Sequence, residues 1–141
     1  MNNPYSLKTL FNIEKHTVIL TGANGQVGSE IVDALIDLGS KVIAVDIEFE
    51  NLDKHKSNKN LIKLKCDIVN GENIKKLYAK LSDKNIYPTA LINNAGASFF
   101  NHFLKRSEME LDKTYEVNLK ATILLIKYFY KMNSKIKLTR K

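Results

Sequence analysis

The sequence predicts an α/β fold built on a doubly wound parallel sheet, and three observations carry that expectation. Four short apolar runs, at Thr17–Thr21, Lys41–Asp46, Leu61–Cys66 and Thr89–Asn93, have the length and continuous hydrophobicity of strands covered on both faces. Helical periodicity occupies two of the intervals between them, about Gln26–Leu38 and Asn70–Lys80. At the first strand–helix junction stand three glycines, Gly22, Gly25 and Gly28, in the spacing G-x-x-G-x-x-G. Strands joined by such crossovers run parallel with right-handed connections. The expected architecture is Rossmann-like, with about four strands in the order 3-2-1-4.

Taken in order, Met1–Lys15 carries Leu7, Leu10, Phe11 and Ile13, which suggests a short helical turn packed beneath the first strand. The helix over Gln26–Leu38 places Val27, Ile31, Ala34, Leu35 and Leu38 on one face, opposite Ser29, Glu30, Asp33 and Asp37, and Gly39 supplies its stop. Glu50–Asn60 reads as a polar, lysine-rich loop or short helix. The second helix is amphipathic through Ile74, Leu77 and Leu81, starting at Asn70 or Gly71, with Pro88 soon after its end. Beyond the fourth strand, Ala97–Ser107 is a polar and aromatic stretch that holds His102. A long helix is expected from Glu108 towards Asn133, with an apolar stripe at Leu111, Tyr115, Thr122, Ile126 and Phe129. Asn118 lies on that stripe and, if buried, needs a hydrogen-bond partner. Residues 134–141 read as a basic tail, and residues 1–141 as a single domain.

Composition narrows the function classes. The formal charge is +7, yet 20 of the 22 basic residues are lysines scattered through every segment, and only Arg106 and Arg140 offer the planar fork suited to phosphate and base recognition. Nucleic acid is therefore not an expected partner. The single cysteine, Cys66, permits no internal disulfide and reads as a small buried residue. No uncharged apolar run approaches the roughly 18 residues of a membrane span, and the first residues lack the apolar core of a signal peptide. A cytoplasmic protein with no metal site is expected.

The glycine turn points to a dinucleotide. In such a site the first glycine allows the turn, the second lets backbone approach the pyrophosphate, and the third lets helix pack closely on strand. The candidate binding residues are Thr21, Gly22, Asn24, Gly25, Gln26, Val27 and Gly28. Phosphate would rest on the free N–H groups at the positive end of the helix. The second strand ends in Asp46, followed by Ile47, roughly twenty residues beyond the last glycine, where an acid accepts hydrogen bonds from the adenosine ribose. A carboxylate there repels a 2′-phosphate, and the glycine turn contains no basic residue, so NAD is expected over NADP.

Asn93-Asn94-Ala95-Gly96 follows the fourth strand, and with it the chain resembles the short-chain dehydrogenase/reductase family. The glycine turn, the acid after the second strand, the Asp67-Ile68 pair after the third and this tetrapeptide occur in the family's order, over essentially Ser6 to Lys131. The resemblance implies hydride transfer between nicotinamide and a carbonyl or alcohol. It places Asp67 beside the adenine with Ile68 packed on it, and Asn94, Ala95 and Gly96 on the nicotinamide ribose side. It implies that Asn118, within Tyr115-Glu116-Val117-Asn118-Leu119, bonds a helix carbonyl and holds a water of the proton relay. The glycine spacing is that of the family's extended, sugar-nucleotide-modifying branch, which suggests a sugar-derived or other small-molecule substrate. The family's proton donor is a tyrosine with a lysine four residues on, and none of Tyr5, Tyr78, Tyr87, Tyr115, Tyr128 or Tyr130 has one. The chain accordingly reads as a truncated cofactor-binding portion, inactive alone, with a complementing chain or a homo-oligomer as possible partners. The alternative is a non-catalytic NAD-binding module.

Overall fold

A computed structural model describes residues 12–139 apart from 56 and 101, so Leu7, Leu10 and Phe11 of the expected first turn lie outside the described residues. The chain forms two compact units. One comprises the chain up to Lys65 together with Pro88–Asn94, and the other Cys66–Tyr87 and the chain from Ala95 onwards.

The first unit is a four-stranded parallel sheet of β1 (Thr17–Thr21), β2 (Lys41–Asp46), β3 (Leu61–Lys65) and β4 (Ala90–Asn93). The strand order is β3-β2-β1-β4, as the sequence predicts. The register sets Thr21 beside both Val45 and Asn93, so the glycine turn, the Asp46 carboxylate and Asn94 leave the sheet at one edge. A parallel sheet delivers its ligand-binding loops at that carboxyl edge. Helix α1 (Gln26–Asp37) and a 3₁₀ turn (Glu50–His55) complete the unit, Leu52 of that turn being fully buried. Val18, Leu20, Val42 and Ala44 form one cluster with Ala23, Val32, Leu35 and Leu52, and Ile13 packs against it. Each large aliphatic side chain withdrawn from water there contributes roughly 1.5–3 kcal/mol.

The buried face of α1 differs from the expected one. Val27 is 63% exposed and Ala34 is exposed, whereas Gly28, Ser29, Val32 and Leu35 are buried. The helix is oriented by Gly28 at its first turn, and Ser29 tolerates burial because its hydroxyl donates to the Gln26 carbonyl at 3.1 Å.

The second unit holds α2 (Gly71–Asp83), α3 (Glu108–Tyr115), a π-helical turn (Glu116–Ala121) and α4 (Thr122–Thr139). Asn70 caps α2 by accepting the Glu72 N–H at 2.9 Å, and Ser107 and Glu110 form a reciprocal capping box on α3. Ile74, Leu77, Tyr78 and Leu81 are the buried residues of α2. The Tyr78 hydroxyl donates to the Leu125 carbonyl of α4 at 3.1 Å, and its ring stacks on Tyr128.

The single long helix expected from Glu108 is thus interrupted. A π turn carries an extra residue and shifts the phase of everything beyond it. From the turn onwards the buried positions are Ala121, Leu125 and Met132, with Ile126 of the expected stripe exposed; Leu111 and Tyr115, ahead of the turn, are exposed as well. Residues 134–139, expected as a tail, continue α4 to Thr139.

Candidate functional site

In the first unit the site is built around the Gly22 carbonyl. Gly22 has φ +63°, a conformation that costs an ordinary L-residue about 1–2 kcal/mol. Its carbonyl accepts the Gly25 N–H at 3.2 Å and the Asn94 side-chain amide at 2.9 Å. A β-carbon at Gly28 would lie 1.9 Å from the same oxygen. Asn94 also donates to the Thr21 carbonyl at 3.2 Å, and its own N–H reaches the buried Thr21 hydroxyl at 3.2 Å. Asn94, directly after β4, is in this way tied to the turn after β1.

Helix α1 starts at this turn with Gly25 as N-cap, no side-chain cap and no acidic residue in its first turn. Gly25, Gln26 and Val27 are exposed. The helix start therefore presents backbone N–H groups and the positive end of the dipole to solvent, the donor set a pyrophosphate requires. A β-carbon at Gly25 would be in ordinary contact range, 3.4 Å from the Gly22 carbonyl, so internal packing does not require its small size.

Asp46 is held at both oxygens, Oδ2 accepting the Asn24 N–H at 2.8 Å and Oδ1 the Ile47 N–H at 2.7 Å. Each carboxylate oxygen keeps a further acceptor position. Ile47 is about half exposed. Asn24 binds within the protein through every polar group it has, reaching Asp46, Glu50 and Asn51. Sequence reasoning missed Glu50 and Asn51, which carry no motif, and it missed Lys65, which the β2–β3 register sets beside Asp46. Aligning the ends of the two apolar runs would have found the lysine.

In the second unit, Asp67 Oδ1 accepts the Val69 N–H at 3.0 Å, and Ile68 is buried. Cys66 is buried too, and desolvation, with the Asp67 charge adding to it, pushes its thiol up to about 11. Burial likewise raises the Tyr78 hydroxyl above the ordinary range, with a smaller contribution from Cys66. Neither group is poised to ionise near neutral pH.

Asn118 lies in the π turn and, against expectation, is exposed. Its amide nonetheless finds backbone on both sides, Oδ1 accepting the Ala97 N–H at 2.8 Å and Nδ2 donating to the Ala97 carbonyl at 3.0 Å. The side chain therefore bonds the loop after Gly96 rather than a helix carbonyl. The Asn118 carbonyl accepts the Thr122 hydroxyl at 3.2 Å. Gly96 lies against the same amide, with 3.5 Å between its would-be β-carbon and Asn118 Oδ1. His102 is exposed, in a stretch whose Phe100 and Phe103 are exposed as well.

A family model described as short chain dehydrogenase matches residues 16–137, nearly the whole chain. The chain belongs to the short-chain dehydrogenase family. Among curated members, the 3-oxoacyl-(acyl-carrier-protein) reductase FabG of Rickettsia prowazekii is 32% identical over 121 residues, 82% of this chain and 47% of the relative. Among solved structures, a short chain dehydrogenase from Leptospira borgpetersenii with bound NAD+ superposes with a TM-score of 0.78 at 32% identity, covering 84% of this chain and 47% of that one. The closed form of a serine dehydrogenase complexed with NADP+ gives 0.72 at 27% identity, covering 80% and 47%. The chain thus spans about half the length of the family members it matches. Among the described residues no helix is long and apolar enough to cross a membrane, and no group of three or more His, Cys, Asp or Glu side chains is placed to hold a metal ion.

Proposed function

We propose that these residues bind NAD, as the cofactor-binding portion of an oxidoreductase that passes hydride between nicotinamide and a carbonyl or alcohol. The observation that carries the reading is the exposed, uncapped start of α1 at the same sheet edge as an Asp46 carboxylate fixed by the Asn24 N–H. In this reading Gly22 and Gly25 let the pyrophosphate approach the turn closely, Gln26 to Gly28 receive it on backbone N–H groups, and Asp46 accepts from the ribose diol. Thr21 and Asn94 hold the turn in shape, and Ile47 flanks Asp46. Following the family's pattern, Asp67 and Ile68 are assigned to the adenine, and Ala95 and Gly96 to the nicotinamide ribose. Asn118 is assigned to the proton relay, as the residue that fixes Ala97 and orders a water.

The cofactor, when bound, supplies the hydride. The proton needs a separate donor, and the 141 residues contain no tyrosine with lysine four positions on. By themselves they are expected to bind without turnover, the donor being supplied from outside them. That same absence favours a second reading, a dinucleotide-binding module that works without catalysis. A single, buried cysteine with no partner for an internal disulfide suits a reducing compartment such as the cytoplasm. The substrate in this reading is a small carbonyl or alcohol compound, a sugar derivative among them.

Calorimetry with NAD and NADH on the purified chain, with Asp46→Ala as the comparison, tests the assignment. Saturable binding weakened by the substitution is expected, by roughly tenfold or more for loss of a hydrogen bond to a charged acceptor. Folded protein that binds neither form of the cofactor would refute it.

A further inference from the structure

We propose that Glu50, held in place by Asn24, is a second determinant of cofactor choice beside Asp46. The inference rests on the assignment of Asp46 to the adenosine ribose. Asn24 stands between the first two glycines and spends all four of its polar groups inside the protein. Its N–H donates to Asp46 Oδ2 at 2.8 Å, and its side-chain Nδ2 donates to Glu50 Oε2 at 3.2 Å. Its Oδ1 accepts the Asn51 N–H at 2.8 Å, and its carbonyl accepts the Asn51 Nδ2 at 2.7 Å. One residue therefore binds two carboxylates, and Asn51 closes on it from both backbone and side chain. The start of the 3₁₀ turn is fastened to the glycine turn, and a flexible, exposed glutamate is held within two hydrogen bonds of Asp46.

The consequence is electrostatic. Among the described residues, the lysines of the 3₁₀ turn and of β3 do not balance the two acids. Lys54 pairs with Asp33, and Lys63 pairs with Asp53 at 3.7 Å with its ammonium 5.8 Å from the Phe49 ring. Lys65 is the lysine in register with Asp46, one positive charge against two negative ones. A ribose diol approaching Asp46 donates hydrogen bonds and gains from that field. A 2′-phosphate brings nearly two further negative charges and no donor, and is repelled by both acids. Asp46 discriminates by contact and charge, and Glu50 by charge alone. Asn24 is a positioning residue, which keeps that charge next to the site.

The test compares NAD and NADP dissociation constants by calorimetry for the 141-residue chain, Glu50→Gln, Asn24→Ala and the double variant, each first checked for native circular dichroism. Glu50→Gln is expected to leave NAD affinity within about threefold and to tighten NADP about tenfold, an effect that shrinks at high salt. Asn24→Ala is expected to reduce the NAD preference comparably although Glu50 keeps its charge, and the double variant no further than either single one. A purely structural Asn24 would weaken both dinucleotides in proportion and leave their ratio unmoved, which would overturn its positioning role. An unaltered preference in Glu50→Gln, including NADP binding that stays undetectable, would overturn the role of Glu50. Native chain that binds NAD with either of those results refutes this inference alone, whereas native chain that binds no dinucleotide refutes the cofactor assignment beneath it.

Discussion

At the scale of single residues the glycines of the turn do three different jobs, and each has its own substitution signature. Gly22 needs a positive φ, Gly25 has space for a β-carbon and is proposed to leave room for a ligand, and Gly28 leaves no room for a β-carbon at all. The atoms that a Gly28 methyl would meet are backbone, the Gly22 carbonyl oxygen at 1.9 Å and the Ala23 α-carbon at 2.9 Å, so no side-chain rotation relieves the clash. Gly28→Ala has to push α1 off the turn. It is expected to destabilise the chain by about 3 kcal/mol, at the upper end of what overpacking costs, and to abolish NAD binding by displacing the helix start. Gly25→Ala meets only a 3.4 Å contact, so its stability should change little while its NAD affinity falls. Urea unfolding and calorimetry on the same two variants separate these outcomes. Equal stability losses would mean that packing, and not ligand approach, explains both glycines.

At the scale of elements, one ion cluster links α1 to the 3₁₀ turn after β2. Asp33 of α1 bonds both Lys54 and His55 through its two carboxylate oxygens. Burial works against the charge on Asp33, but the hydrogen bonds and charges of Lys54 and His55 outweigh it and hold its carboxyl below the ordinary range. A carboxyl whose pKa is lower in the folded chain than in the unfolded one stabilises the fold above the unfolded value of about 3.9, and that contribution fades as pH falls through the lower folded value. Asp33→Asn should therefore lower the urea midpoint at about pH 5, and the gap from native protein should close below about pH 4. A gap that persists into acid would assign the loss to packing instead of charge. Elements are also where the limits of the sequence lie. The four strands, their order and the glycine turn were legible because a parallel sheet buried on both faces leaves continuous apolar runs, and because Gly22 and Gly28 answer local steric needs. The break at Asn118 was not legible, since residues on either side are helical and a π turn has no periodicity of its own. For the same reason the phase of α4 was read wrongly, with Ile126 expected inside where Leu125 is. Val27 was misplaced because the seat of α1 is fixed by a glycine, which carries no hydrophobic signal. Glu50 and Asn51 were invisible, because their bonds to Asn24 span more than twenty residues of sequence.

At the scale of the whole molecule, the two capacities of the proposed function, holding a dinucleotide and moving a proton, call on different residues. The first would use the sheet edge formed by Gly22, Asp46 and Asn94, all within the first compact unit. The second needs a proton donor, which the family resemblance identifies as a tyrosine with a lysine four residues on. Tyr78 is buried, bonded to the Leu125 carbonyl and shifted away from neutrality, and no tyrosine has a lysine four residues on to lower its pKa. Binding and turnover should therefore dissociate in this chain. A ligand that binds only native protein stabilises it by mass action, by about 2.7 kcal/mol at a hundredfold excess over its dissociation constant. For a chain of this size that raises the thermal midpoint by on the order of 8 °C. NAD should produce such a shift in a melting experiment, and Asp46→Ala should remove most of it at the same concentration. With NADH and a panel of carbonyl compounds the same preparation should show no oxidation of the cofactor above the uncatalysed rate, because positioned acid–base catalysis contributes roughly 10²–10⁴-fold and its acid is not among these residues. Stabilisation without turnover fits a cofactor-binding portion that draws its proton donor from elsewhere. Measurable NADH oxidation would instead place the donor within these residues, and Asn118→Ala would then show whether the π turn takes part.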